Sequence, residues 1–238
     1  MTELKKKIVG RDMGHKSVAI DGPSGAGKST LARQVAKALG FLYVDTGAIY
    51  RTLGLLALEQ GIDPADPAAV QALLPQADIR LAYDSGDGLK HMYLCGRDVT
   101  EDIRRPEVSL AASSVSAIQT VRDFLMETQR ELARQHDVVM DGRDIGTVVL
   151  PQADAKIFLT ASPEARAKRR CDELAQRGTP QALDTVLAEI VERDRRDTTR
   201  ASAPLRQAAD AVLVDTTDLD LAESLQVLMD AVRGELNR

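Results

Sequence analysis

The chain has 238 residues, a formal net charge of −5, 44% hydrophobic residues and no Trp. That length suits one large α/β domain with insertions or two small domains, and the hydrophobic share is ordinary for a globular core. The acidic balance argues against a nucleic-acid-binding surface, which needs a basic face, and with aromatics at 3% a bound base would be read along its edge.

In chain order, residues 1–16 form a polar extension. "KKKIVGRD" is basic but lacks a signal-peptide core, and no later run approaches membrane-spanning length. Cys95 and Cys171 form no C-x-x-C pair and read as free thiols of a reducing compartment, so a cytoplasmic location is expected. His15, His91 and His136 are scattered without metal-ligand spacing.

Residues 18–40, "VAIDGPSGAGKSTLARQVAKALG", carry G-x-x-x-x-G-K-[ST] at Gly22, Gly27, Lys28 and Ser29. Gly22, Gly25 and Gly27 let the backbone curl so that successive N–H groups face one anion. The helix beginning near Lys28 adds its positive N-terminal end. Lys28 reaches β- and γ-phosphates, and the Ser29 hydroxyl suits Mg²⁺. A strand at 17–21 precedes the motif, and Leu31, Val35 and Leu39 follow at helical spacing. This context makes the motif a nucleotide phosphate loop, a P-loop.

Five apolar runs are predicted as buried strands: 17–21, 41–45, 137–141, 156–160 and 211–214, with helical patterns between most of them. The fold expected is α/β, a five-stranded parallel sheet covered on both faces. Ligands bind such sheets at the strands' carboxyl ends. Four runs end there in polar residues: Asp21, Asp45 with Thr46, Asp141 with Arg143 and Asp144, and Asp215. Helix and turn capping accounts for some of these carboxylates, but not for "DGRD" at 141–144.

Two segments interrupt the core, which is expected at 17–62, 106–161 and 201–238. The insert at 63–105 holds a short helix and then "IRLAY" and "LKHMYLC" around "DSGDG", a β-hairpin. The helical lid at 162–200 belongs to an excursion that runs on to 206. Its second helix shows an apolar stripe of Leu183, Val186, Leu187, Ile190 and Val191. At the same spacing the stripe gives way to Arg193, Asp197 and Arg200, a face crossing from core into a polar cleft. Arg193 and Asp197 could also pair within the helix, for only about 0.5 kcal/mol. Arg166 and Arg170 repeat the i, i+4 spacing on the preceding helix.

Several arginines converging on a P-loop suit phosphoryl transfer, where fixed cations stabilise charge spread over the moving group. A GTPase would normally carry N-K-x-D, which is not present. Together, "IDGPSGAGKST", "DTGAIYR" (45–51), "DGRDIGTVV" (141–149) and "RDRRDTTRASAPL" (193–205) resemble the bacterial cytidylate kinases over about 17–236. The resemblance implies ATP and Mg²⁺ acting on CMP or dCMP, with 63–105 as the enlarged nucleotide-binding insert. Those small molecules are the partners it implies; a monomer is expected, and charge and the lack of a long apolar run argue against nucleic-acid and membrane partners.

The same resemblance implies roles by residue. Gly22, Pro23, Ser24, Gly25, Ala26, Gly27, Lys28, Ser29 and Thr30 would hold the ATP phosphates, with Ser29 on the metal. Thr46, Tyr50 and Arg51 would line the acceptor, with Arg51 and Arg122 on its phosphate. Ser113, Arg143 and Asp144 would read cytosine, and Arg193 and Asp197 the sugar hydroxyls. Arg200 would join the phosphate-binding cations, while Arg166 and Arg170 close over ATP. Thr46 stands where many relatives carry Ser, a change that keeps the hydroxyl. A kinase of another small acceptor, or a nucleotide switch without transferase activity, are the competing readings.

Overall fold

The computed structural model describes residues 14–83, 90–176 and 178–238. Strands β1 (Ser17–Asp21) and β2 (Leu42–Asp45) are joined by helix α1 (Lys28–Leu39), and α2 (Thr46–Glu59) follows β2 directly. The insert contains α3 (Pro67–Leu73) and strands β3 (Ile79–Tyr83), β4 (Lys90–Leu94) and β5 (Arg97–Asp98). Helices α4 (Pro106–Val115) and α5 (Gln119–Gln135) return the chain to β6 (Val138–Gly142) and β7 (Ala155–Thr160). Helices α6 (Pro163–Gln176) and α7 (Leu183–Thr199), in the segment expected as a lid, precede β8 (Val212–Asp215) and α8 (Leu221–Leu236).

The main sheet has the order β2-β6-β1-β7-β8, and every pairing is parallel. Its strands lie within one residue of the five expected runs. Alternate residues of each strand point to opposite faces, and each face buries its own cluster. Val18, Ile20 and Val139 pack with α1 and α8, through Leu31, Val35, Leu228 and Val232. Ala19, Val138 and Met140 pack on the other face with α2, α4 and α5. Coverage of both faces explains why these strands read as apolar runs rather than alternating ones.

In the insert, β3 and β4 pair antiparallel from Ile79↔Leu94 to Tyr83↔Lys90, as the hairpin reading expects. The "DSGDG" turn itself lies outside the described residues. Strand β5, not anticipated from sequence, pairs Leu94 with Arg97 across a two-residue turn at Cys95 (φ 50°) and Gly96 (φ 81°). Positive φ at both central residues matches the twist of the flanking strands. The insert shares its core with the main domain: Leu73, Met92, Leu94, Val99 and Ile103 join the cluster that holds α2. Arg97 also donates to both carboxylate oxygens of Glu59 on α2, at 2.6 and 2.8 Å.

The lid corrects one expectation. On α7, Val186 and Ile190 are buried against Ala167 and Leu174 of α6, with Leu187 partly covered. Leu183 and Val191 are each 50% exposed. A seam between two helices covers a narrower stripe than a sheet would, so the outer positions of the five remain in solvent.

Helices α2 and α4 pack closely where α2 carries Gly54. A Cβ built there would stand 2.9 Å from the Ala112 backbone nitrogen and 3.2 Å from the Ala111 carbonyl carbon. Neither backbone atom can swing away as a side chain could. Gly54→Ala is therefore expected to force the helices apart and lower the unfolding free energy by about 1–3 kcal/mol, measured by denaturant titration. An unchanged midpoint would contradict this packing.

Candidate active site

The carboxyl ends of β1, β2 and β6 open into a cleft of about 860 Å³, walled by α2, α4, α6 and α7. None of the described insert residues lines it; the wall on that side is α2 and α4.

The phosphate loop begins where β1 ends. Gly22 has φ 152°, and a Cβ there would sit 1.9 Å from the Leu159 carbonyl oxygen on β7, so only glycine fits. Gly25 (φ 76°) and Gly27 (φ 83°) complete the curl, and Gly27 delivers the chain into α1. Ser24, Gly25, Ala26, Gly27, Lys28, Ser29 and Thr30 all line the cleft; Gly22 and Pro23 lie behind them. Lys28 is buried, and its ammonium closes the loop by donating to the Pro23 carbonyl at 2.6 Å. Burial first, and the nearby Arg143 next, hold its pKa well below the usual lysine value.

Beneath the loop, Asp141 at the end of β6 gathers three elements. Its carboxylate accepts from the Ser29 hydroxyl at 2.8 Å and the Tyr43 hydroxyl at 2.9 Å, and its backbone carbonyl accepts from Thr46 Oγ1 at 2.8 Å. Burial, then the neighbouring Asp45, push the Asp141 carboxyl up. A hydroxyl beside a buried carboxylate is an all-oxygen donor set, which fits the hard cation Mg²⁺.

The far side of the cleft is a ring of guanidiniums. Arg51 pairs with Asp45 at 2.9 Å. Arg143 donates to Asp197 at 2.8 Å. Asp144 is buried and accepts from both Arg122 and Arg200, and Arg122 lies over the Tyr50 ring, 5.8 Å from its centroid. Ser113 of α4 lines the same space. Eight cations, Lys28, Arg51, Arg122, Arg143, Arg169, Arg170, Arg193 and Arg200, line the cleft with seven carboxylates, Asp45, Asp141, Asp144, Asp172, Glu173, Asp197 and Asp220, a formal excess of one positive charge. The Nε–H groups of Arg51 and Arg193 are buried without a protein acceptor. Burial, then Arg143, lower Arg193 to about 10. A buried donor without an acceptor carries a desolvation cost, which an incoming anion would relieve.

Asp197 pairs with Arg143 on β6's trailing turn rather than within its helix, which answers the alternative of an isolated α7 ion pair. The two lid arginines part ways. Arg170 faces the cleft and donates to Glu173 at 2.7 Å. Arg166 is 3% exposed and sits behind the loop: it donates to the carbonyls of Ala161 (2.8 Å) and Ser24 (2.9 Å) and pairs with Asp194 at 2.6 Å. Its neighbour Arg169 lines the cleft instead, donating to the backbone carbonyls of Thr216 and Leu219 before α8. Sequence reading assigned no role to Arg169, Asp194, Tyr43 or Asp141. Asp141 alone left a signal, as a carboxylate ending a buried strand.

Fold and site together define a P-loop phosphotransferase, with a nucleotide phosphate loop facing a guanidinium-rich acceptor pocket across one cleft. The family model for cytidylate kinase matches residues 18–234, and the chain belongs to that family. It is 50% identical over 214 residues to the cytidylate kinase of Caldicellulosiruptor bescii, covering 90% of this chain and 94% of that one. It is also 50% identical to that of Pelotomaculum thermopropionicum over 216 residues, covering 91% and 95%. A crystal structure of an uncharacterized protein from Eubacterium ventriosum shares the fold at 12% identity, with a TM-score of 0.50 over 94% of this chain and 99% of that one.

Asp21 ends β1 and is buried. Burial raises its carboxyl to about 6, against the lowering effect of hydrogen bonds from the Gly146 and Ile145 backbone. Because the folded value exceeds the unfolded 3.8, its contribution to stability is complete below that unfolded value and is lost as pH rises through about 6. The Asp21 carboxyl carbon is expected to titrate near 6 by NMR in the folded protein; a midpoint under 3.8 would show that the two N–H donors outweigh burial.

Proposed function

We propose that this protein transfers the γ-phosphoryl group of ATP to CMP or dCMP, giving ADP and CDP or dCDP. The observation that carries this reading is the facing of Lys28 by the paired groups Arg143–Asp197 and Asp144–Arg122–Arg200 in one cleft. Residues Gly22 to Thr30 hold the ATP phosphates. Mg²⁺ would be held by Ser29 and those phosphates with Asp141 behind, and when bound it neutralises charge on the transferring group. The lid's Arg170 faces the same phosphates, while Arg166 holds the loop through Ser24. The adenosine end fits between Arg169 and the Leu219–Leu221 edge of the cleft.

The acceptor phosphate takes Arg51, with its open Nε–H, and Arg122; Arg200 stands beside them. Arg193 and Asp197 meet the sugar hydroxyls, and Thr46 and Tyr50 floor the pocket. Little covalent chemistry is asked of the protein: fixed cations hold the two phosphates in line and stabilise the charge between them. Family membership supports this assignment, and the free thiols of Cys95 and Cys171 fit a reducing, cytoplasmic site of action.

Removing the loop cation tests the ATP side. Lys28→Ala is expected to lower kcat by at least about 10²-fold while circular dichroism remains that of the folded protein. Near-normal turnover would remove the phosphate loop from the mechanism.

Base choice tests the acceptor side. Cytosine presents an amino donor beside a ring acceptor, and uracil reverses both. Asp144 accepts from the amino group, Arg143 donates to the ring nitrogen, and Ser113 flanks them. Against uracil each contact sets like against like. The expected preference for CMP over UMP is roughly 10²-fold or more in kcat/KM. Asp144→Asn, which keeps the volume beside Arg122 and Arg200, should narrow it by losing activity on CMP rather than on UMP. Equal use of both nucleotides by the wild type would refute this assignment.

A further inference from the structure

We propose that Asp21 is a positioning residue for base recognition: its carboxylate fixes the turn that presents Asp144 and Arg143 to the cleft. The turn spans Ile145–Val149 and is wide, with i→i+5 bonds from the Val149 N–H to the Asp144 carbonyl (3.2 Å) and from the Leu150 N–H to the Ile145 carbonyl (2.7 Å). The first N–H groups of any helical turn lack partners within it. An Asp in the position of Asp144 commonly supplies one with its own side chain. Here it does not: the Asp144 side chain makes no capping bond.

Asp21 does the capping from another strand. Its Oδ1 accepts from the Ile145 N–H and its Oδ2 from the Gly146 N–H, each at 2.8 Å and from residues 124 and 125 positions distant. The Asp144 carboxylate is thereby left to face Arg122 and Arg200 in the cleft. Gly146 is part of the same fit. A Cβ there would stand 3.4 Å from Asp21 Oδ2 and 3.3 Å from Lys156 Cδ. Gly22 of the phosphate loop follows Asp21 directly, but its place is set by the backbone pairing of β1 with β6 and β7 and not by the Asp21 side chain.

This inference rests on the reading of Arg143 and Asp144 as the base-reading pair. Its test compares wild type, Asp21→Asn and Gly146→Ala at pH 8, with ATP as donor and CMP or UMP as acceptor. Asp21→Asn leaves an oxygen for one N–H and turns an amide donor against the other; Gly146→Ala is the milder change, setting a methyl in contact with Asp21 Oδ2 at 3.4 Å and slightly tight against Lys156 Cδ at 3.3 Å. Asp21→Asn is expected to raise KM for CMP by about tenfold and to lower the CMP:UMP ratio of kcat/KM comparably, and Gly146→Ala to shift both in the same direction by about two- to threefold. KM for ATP is expected to stay within about twofold. A purely structural role would weaken both substrates together. Folded variants, checked by circular dichroism, that keep the wild-type CMP:UMP ratio overturn the inference, and so does a parallel loss for ATP. If Asp21→Asn does not fold, Gly146→Ala decides alone. A wild type without preference for CMP refutes the base-reading pair itself, whereas a selective wild type with equally selective variants refutes only the role of Asp21.

Discussion

The cleft depends on the parallel pairing of β1 with β6, which sets Asp21 beside Gly142. Both strands end at the same level, so the phosphate loop that leaves β1 and the "DGRD" turn that leaves β6 start as neighbours. The third strand end, Asp45 on β2, joins them through β6. Groups far apart in sequence therefore reach one another without a long side chain. Ser29 and Thr46 both bond Asp141, one to its carboxylate and one to its carbonyl. Displacing β1 by one residue would turn Val18 and Ile20 away from α1 and α8 and break the contacts of Ser29 with Asp141 and of Asp21 with the Ile145 and Gly146 N–H groups.

Around that frame the site is made of buried ion pairs, and such pairs are poor sources of stability. Taking both charges out of water costs about as much as their attraction returns, while deleting one partner costs ~3–5 kcal/mol. Asp144 between Arg122 and Arg200, and Asp197 against Arg143, therefore make little sense as fold stabilisers. They make sense as preorganisation: Arg122 and Arg200 are already desolvated, Arg143 largely so, and each is aimed by its carboxylate when the nucleotide arrives, so less is spent on ordering side chains during binding.

Much of this was legible in the sequence because it is local. The loop's glycines, the helix after Lys28 and the five strand runs each declare themselves within a few residues. The turn of α7 from Val186 and Ile190 to Arg193 and Asp197 likewise showed a face leaving the core. What was not legible depends on partners distant in the chain. Nothing near Arg166 shows that its guanidinium is taken up by Ser24 and Asp194. Spacing from Arg170 made the two look equivalent, yet helical rotation puts Arg169 at the cleft instead. Strand β5 is two residues long and carries no periodic signal, and the wide turn after Asp144 is set by a carboxylate on another strand.

The arrangement of charge links the two halves of the cleft. Lys28 is depressed by burial and by Arg143, and Arg193 by burial and again by Arg143. One guanidinium thus crowds a cation of the phosphate loop and a cation of the acceptor pocket. Asp197 offsets this crowding from α7, since it pairs with Arg143 directly. A polyanion entering either half lowers the cost of keeping the shared cations charged, because the repulsion among them is reduced where the anion sits. The two phosphates still repel each other, and the guanidiniums between them offset that repulsion. Arg143 follows β6 and Asp197 comes from α7, so that balance is set between two elements 54 positions apart in the chain.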